Sequence, residues 1–256
     1  MTINSEIILE ADQVSLTDQF GFSNILKDIS FQIKKRDRAS LAARGDRVAI
    51  LGTSGSGKTS LLRLLNRLSE PTTGNLFFAG TSYDSISVIS LRQQVVLVPQ
   101  EPKLLGMTVR ETLAYPLTLQ KLSKTEINHR IATYSDQLQI PESWYDKSEL
   151  QLSLGQRQLV TIARGLIMEP QVLLLDEPTS ALDIATATRV INVLKEQETT
   201  ILMVNHQLEL AEQFCDRVLY LQEGTLIQDR FNINLDWQQL KQDIIEAEHK
   251  IEQEWG

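Results

Sequence analysis

Eight residues, Gly52-Thr53-Ser54-Gly55-Ser56-Gly57-Lys58-Thr59, carry the spacing G-x-x-x-x-G-K-[ST] of a phosphate-binding loop. Glycines at this density let the backbone curl until several N–H groups face a single anion. A helix starting at the end of the loop adds partial positive charge from its N-terminus. Lys58 is then placed to reach the β- and γ-phosphates of a nucleotide, and the Thr59 hydroxyl to hold Mg²⁺. The bland alternative is a glycine-rich turn with a surface lysine. The flanks argue against it: Arg47-Val48-Ala49-Ile50-Leu51 reads as a buried strand, and Ser60 to Asn66 places its leucines on one helical face.

A second pair able to do chemistry is Asp176-Glu177, which ends the apolar run Val172-Leu173-Leu174-Leu175. Strand ends in an open α/β sheet meet at one edge, where ligands bind. Asp176 suits orientation of Mg²⁺ and its waters, and Glu177, one residue on, can polarise a water in line with a γ-phosphate. Two solvated turn carboxylates would be the alternative, but a four-residue apolar run placed just before them predicts a buried strand.

The elements that must position these groups can be read along the chain. Ile7 to Ala11 and Asp28 to Ile33 alternate as strands, with the aromatic-bearing turn Asp18-Gln19-Phe20-Gly21-Phe22 between them. An aromatic ring in that turn could stack on a base or merely anchor the loop, and spacing does not choose between the two. Lys34 to Arg44 reads as a basic hairpin loop, with contact to lipid headgroups or a partner as the second reading. Leu76 to Gly80 and Val95 to Val98 read as further strands. From about residue 101 to 165 strand signals give way to helical ones: Thr108 to Gln120, Ser123 to Leu138 and Gly155 to Met168. Thr108 and Ser123 serve as N-caps, with Glu111 and Glu126 completing capping boxes. Strands and helices then alternate: Gln171 to Asp176, Ile184 to Gln197, Thr200 to Val204, Glu209 to Phe214, Arg217 to Leu221, and a turn at Glu223-Gly224. The expected fold is α/β, a mostly parallel sheet preceded by an antiparallel β-subdomain and interrupted by a helical lobe. The expected organisation is a core of residues 1–100 and 166–230, a lobe of 101–165 and a tail of 231–256. In the tail, Ile244, Ala247, Ile251 and Trp255 share one helical face.

The 256 residues carry a net charge of −8, which argues against a nucleic-acid partner. One cysteine, Cys215, excludes an internal disulfide, fits a reducing compartment, and beside Phe214 reads as core filler. Residues 1–6 show no basic region followed by an apolar run, so no signal peptide is expected. The apolar runs are too short to cross a bilayer. A soluble chain is expected, reaching a membrane only through another polypeptide.

Leu152-Ser153-Leu154-Gly155-Gln156, between the helical patterns and Asp176, resembles the signature of ATP-binding cassette (ABC) ATPases. The order of the phosphate loop, Gln100, this signature, Asp176-Glu177, Ser180 to Asp183 and His206 is similar to that of the same family, over roughly residues 7 to 229. The resemblance implies an ATP hydrolase using ATP and Mg²⁺, with Phe20 stacking on adenine. Gln100 would touch the metal alongside Thr59 and Asp176, and His206 would contact the γ-phosphate. Ser153, Gly155 and Gln156 would meet the nucleotide of a second, facing cassette, and Asp183 would cross the dimer interface. Leu154 departs from the glycine usual at that signature position. The family further implies a homodimer that closes on ATP, opens on hydrolysis, and drives an integral-membrane permease received by residues 101–112 from the cytoplasmic face. A soluble ATPase of a cytosolic assembly system, such as iron–sulfur cluster assembly, carries the same cassette and is the alternative. Sustained heptads and a second phosphate loop are both absent from the sequence. The cargo and the direction of transport are not written in these residues.

Overall fold

The structure is a computed structural model that describes residues 7–35 and 47–255. Two sheets organise it. The first is antiparallel, in the order β2-β1-β4-β5: β1 Ile7–Thr17, β2 Asn24–Lys34, β4 Thr73–Phe78 and the short β5 Thr81–Ser82. The second has the order β10-β9-β3-β8-β7-β6, with β3 Arg47–Leu51, β6 Val95–Val98, β7 Val172–Asp176, β8 Thr200–Val204, β9 Arg217–Gln222 and β10 Thr225–Phe231. Its pairings are parallel except for the β9–β10 hairpin. This is the anticipated combination of an antiparallel sheet, a mostly parallel sheet and helices.

The apolar runs of β3, β7 and β8 are continuous because both faces of the parallel sheet are covered. Ala49, Leu51, Leu173, Leu175, Ile201 and Met203 face one core. Their sequence neighbours Val48, Ile50, Val172, Leu174, Leu202 and Val204 face the other. That second core is closed by α1 (Lys58–Leu65) and the antiparallel sheet. A short helix, α2 (Val88–Gln94), comes just before β6. The first core is closed by α3 (Val109–Leu119), α4 (Lys124–Leu138), α5 (Leu154–Ile167), α6 (Ile184–Glu196), α7 (Leu208–Phe214) and α8 (Trp237–Trp255).

Register does the positioning. Asp176 and Ile50 both pair with Val204, and Val98 pairs with Leu175. The C-terminal ends of β3, β6, β7 and β8 therefore lie at one edge, and the residues immediately after them are neighbours although far apart in sequence.

Several expectations are corrected in detail. The helix expected from Gly155 starts one residue earlier, at Leu154, because the Ser153 hydroxyl accepts the Gln156 N–H and the Gln156 side chain accepts the Ser153 N–H. The reciprocal capping box also forms at Thr108 and Glu111, but not at Ser123. There Glu126 turns away to pair with Arg130 at 2.6 Å. β4 stops at Phe78, since Ala79 and Gly80 both take positive φ in a turn. Neither α2 nor β10 was anticipated. β10 is a largely exposed edge strand and lacks the alternation that marks a half-buried one. The tail forms α8 with Leu240, Ile244 and Ala247 buried, while the side chains of Ile251 and Trp255 lie outside the described residues, as does most of the Lys34 to Arg44 segment. Cys215 is buried beside Phe214, which holds its thiol pKa up at about 12.

Helix α5 lies so close to the sheet that a Cβ on Gly165 would sit 2.6 Å from a Val98 methyl and 3.1 Å from Leu173. Gly165→Ala gains about 1 kcal/mol of helix propensity but overpacks a closed core at a cost of about 1–3 kcal/mol. The overpacking should win, and urea unfolding should show a lower midpoint; an unchanged or higher midpoint would show that the sheet yields.

Candidate functional site

The phosphate loop runs from the end of β3 to the start of α1. Gly52 (φ 150°) is required: a Cβ there would meet the Leu221 carbonyl oxygen at 2.1 Å. Gly57 (φ 97°) is likewise pressed against Leu26 and the Ile25 carbonyl. Between them Ser56 N–H donates to Thr53 O, closing the loop on itself. The first N–H groups of α1 have no partner within the helix and open into this curl. Lys58 is folded back into it, only 6% exposed. Its ammonium donates to Gly52 O at 2.9 Å, Thr53 O at 2.6 Å and, more weakly, Ser56 Oγ at 3.5 Å. Burial lowers the Lys58 pKa, and the carboxylates of Glu177, Asp176 and Glu248 pull it part of the way back.

Asp176 stands beside the loop, 3% exposed, and accepts one hydrogen bond from Thr59 Oγ1 at 3.2 Å. Burial raises its pKa above the ordinary value; the Thr59 bond and the charges of Lys58 and Arg63 oppose that rise without cancelling it. A buried carboxylate held so weakly is matched to a cation.

Glu177 sits at φ 50°, a left-handed conformation that costs a non-glycine residue about 1 kcal/mol or more. Its N–H donates to Val204 O at 3.0 Å, continuing the β7–β8 ladder for one residue. The twist turns its carboxylate along the sheet edge. There Oε1 meets His206 Nε2 at 2.8 Å, and Oε2 accepts from Gln100 Nε2 at 3.0 Å. The Glu177 side chain is largely enclosed, whereas the side chain of His206 is 44% exposed. The structure thus brings together the phosphate loop, Thr59, Gln100, Asp176, Glu177 and His206.

The remaining sequence candidates lie elsewhere. Phe20 and Phe22 stand out from their turn, stacked on each other with ring centroids 6.3 Å apart. That turn is braced by Asp18, which accepts from Ser23 Oγ and from the N–H groups of Phe20 and Phe22; these bonds hold its pKa below the ordinary value. Ser153 and Gln156 are occupied with each other, and Asp183 caps α6 through Thr186. Gly155 packs on the 181 turn of its own chain, where a Cβ would lie 2.9 Å from Ala181 O. The Leu154 side chain is half exposed and does not fill the core.

Two features went unread in the sequence. One is a polar link from the buried Thr179 and Asn205 to the exposed Gln207, beside the Glu177–His206 pair. The other is the approach of the tail helix α8 to the site, where its Lys241, Ile244, Ile245 and Glu248 enclose a cavity of about 140 Å³ together with Gly52, Asn205 and His206. A larger hollow of about 860 Å³, lined by Tyr134, Glu169, Asn192 and Thr199 among others, opens at the opposite end of the strands and includes none of the candidate residues.

Comparison with known proteins bears on this geometry. Residues 26–180 match the model of the ABC transporter family. The chain is 36% identical over 218 residues to the methionine import ATP-binding protein MetN of Haemophilus influenzae, covering 80% of this chain and 63% of that protein. It is 38% identical over 213 residues to MetN 1 of Bacillus cereus, covering 79% and 58%. The chain thus spans less than two thirds of the length of these relatives. Among solved structures, cbiO1 from Clostridium perfringens, part of the ABC transporter complex cbiONQ, superposes with TM-score 0.75 at 30% identity, covering 89% of each chain. A dimeric bacterial ABC transporter cassette, MJ0796, superposes with TM-score 0.78 at 26% identity, over 88% of this chain and 99% of that one. With a family match across well over half its residues and a phosphate loop facing a strand-end glutamate, this chain belongs to the ABC transporter family.

Proposed function

We propose that the chain is the ATP-binding and ATP-hydrolysing subunit of an ABC importer, acting through a separate membrane permease. The observation that carries this reading is the meeting of Glu177, His206 and Gln100 beside Lys58 and Asp176. In it, the loop N–H groups and Lys58 bind the β- and γ-phosphates. Lys58 exchanges its backbone carbonyls for phosphate oxygens, and the stronger charge-assisted bonds offset the cost of its burial. Thr59 and Asp176, with Gln100, hold Mg²⁺; the donor set is all oxygen and the Asp176 charge is otherwise poorly compensated, so the residues fit a hard divalent ion. The metal supplies neutralisation of the negative charge that builds on the phosphates. Glu177 accepts a proton from, or orients, the attacking water, and His206 steadies its carboxylate and contacts the γ-phosphate. Phe20, exposed and ready to stack, receives the adenine face.

Ser153, Gly155, Gln156 and Asp183 act on the nucleotide of a second copy in this reading. The exposure of Ser153 and Asp183, and the dimeric state of the related cassette MJ0796, support it. Closure on ATP and opening after hydrolysis would then follow from the different affinities of the two states for ATP and ADP. The division into a core of 1–100 and 166–230, a helical lobe of 101–165 and a tail of 231–256 belongs to the same proposal, with residues 101–112 receiving the permease. Among the described residues no helix is long and apolar enough to cross a membrane. In this reading a peripheral position on the inner face of the cell membrane is reached through the permease. Relatives named for methionine import and for a transporter complex favour transport over a soluble assembly system.

Three variants test the assignment. Lys58→Ala should weaken ATP binding by about 30- to 100-fold in calorimetry; parent affinity would remove the phosphate-loop assignment. Glu177→Gln should keep ATP binding, slow hydrolysis by about 100-fold or more, and elute as an ATP-dependent dimer in sizing chromatography. Turnover at the parent rate would place the base elsewhere. For Asp176 the folded pKa lies above the ordinary 3.8, so its ionised form costs stability at pH 7, and that cost fades as pH falls towards 3.8. Asp176→Asn should accordingly raise Tm at pH 7, raise it less at pH 4.5, and abolish Mg²⁺-dependent turnover; a lower Tm at pH 7 would contradict the burial argument.

A further inference from the structure

Behind the Glu177–His206 pair lies a small polar ring that neither acid nor base explains. Asn205 follows β8 directly and is 4% exposed; Thr179, two residues after Glu177, is 1% exposed. Asn205 Nδ2 donates to Thr179 Oγ1 at 3.1 Å. Asn205 Oδ1 accepts the Gln207 N–H at 2.9 Å. The Thr179 hydroxyl in turn donates to Gln207 Oε1 at 3.3 Å. Each of the three bonds uses a different donor and a different acceptor, and the two buried members, Asn205 and Thr179, are both engaged, as buried polar groups require. The ring joins two turns, the one after β7 that carries Glu177 and the one after β8 that carries His206.

Glu177 needs such a brace. A non-glycine residue held at positive φ persists only where its surroundings over-determine it. Its N–H is tied to Val204 O, and its carbonyl accepts from Ser180 N–H and Ser180 Oγ. Those bonds secure Glu177 to the strand end and to its own turn. They do not fix that turn against the His206 turn. Among the described residues, the side-chain hydrogen bonds that join the two turns, besides the Glu177–His206 pair itself, run from Asn205 Nδ2 to Thr179 Oγ1 and from Thr179 Oγ1 to Gln207 Oε1.

We propose that Asn205 is a positioning residue for hydrolysis. Through Thr179 and Gln207 it holds the strained Glu177 carboxylate and His206 at bonding distance, in the orientation a water approaching the γ-phosphate requires. The proposal rests on the reading of Glu177 as the water-activating group. Asn205 itself touches neither nucleotide nor water in this account; it acts by keeping two loops in register. An asparagine suits the place because its single side chain donates to one turn and accepts from the other, which neither an aspartate nor an aliphatic residue can do.

The test is single-turnover ATP hydrolysis with the chain in excess over Mg-ATP, with the rate expressed per bound nucleotide and ATP affinity and stoichiometry measured alongside. Asn205→Ala and Thr179→Val should each slow the step about tenfold, the scale expected of a misplaced reacting group. Affinity and stoichiometry should stay within about twofold, since the phosphate loop is untouched. Thr179→Ser keeps the hydroxyl and should keep the parent rate. The double variant Asn205→Ala with Thr179→Val should be no slower than the slower single one, because both remove one shared link. A parent rate in Asn205→Ala, while Glu177→Gln is inert, would overturn the proposal. So would a loss of rate matched by a loss of binding sites, which marks misfolding, or a Thr179→Ser variant as slow as Thr179→Val. Hydrolysis at the parent rate in Glu177→Gln would instead remove the base assignment, and this inference with it.

Discussion

The parallel register of β3, β8 and β7 is the constraint on which the candidate site depends. Ile50 and Asp176 pair with the same residue, Val204, so the phosphate loop, the Asp176-Glu177 step and the His206 turn emerge side by side. A slip of one residue in any of these strands would exchange the two cores as well as scatter the site, because alternate residues face opposite sides. The apolar packing that stabilises the sheet is therefore also what sets the distances between charged groups at its edge. No separate device is needed to bring Thr59 to Asp176 across more than a hundred residues of chain.

That edge is electrostatically uncomfortable. Burial lowers the Lys58 pKa and raises that of Asp176, so each is pushed towards its neutral form, and each receives only partial relief from its charged neighbours. Glu177 adds a strained backbone. Folding alone would favour a less charged, more relaxed arrangement. Under the proposed function, phosphates and a divalent ion supply the missing counter-charges, so the same features that cost stability provide binding energy.

Much of this could be read from residue order. Strands β3, β6, β7 and β8 announced themselves as short continuous apolar runs, and the glycine-lysine spacing identified the loop between β3 and α1. Caps at Thr108 and Ser123 gave helix starts within a residue. The elements that escaped have no periodic signature in their residues: β10, an edge strand with an exposed face, and α2, barely two turns long. Thr179, Asn205 and Gln207 escaped for a different reason. Single polar residues in turns are common, and only the fold shows that these three face one another. Glu126 shows the reverse failure, a valid capping pattern that lost to a nearby arginine. The roles proposed for Ser153, Gly155 and Asp183 would act on a partner's nucleotide, and a single chain displays only their placement.

Helix α5 has one further implication. It is pinned at Gly165, where it touches the sheet, while its other end carries Ser153 and rests on the 181 turn. The roughly twelve residues between make a rigid rod about 18 Å long. Tilting that rod by about 10° around its pinned end would sweep Ser153 through roughly 3 Å, the span of one hydrogen bond. Leverage of this kind lets a motion too small to disturb the packed interior make or break a contact at the tip.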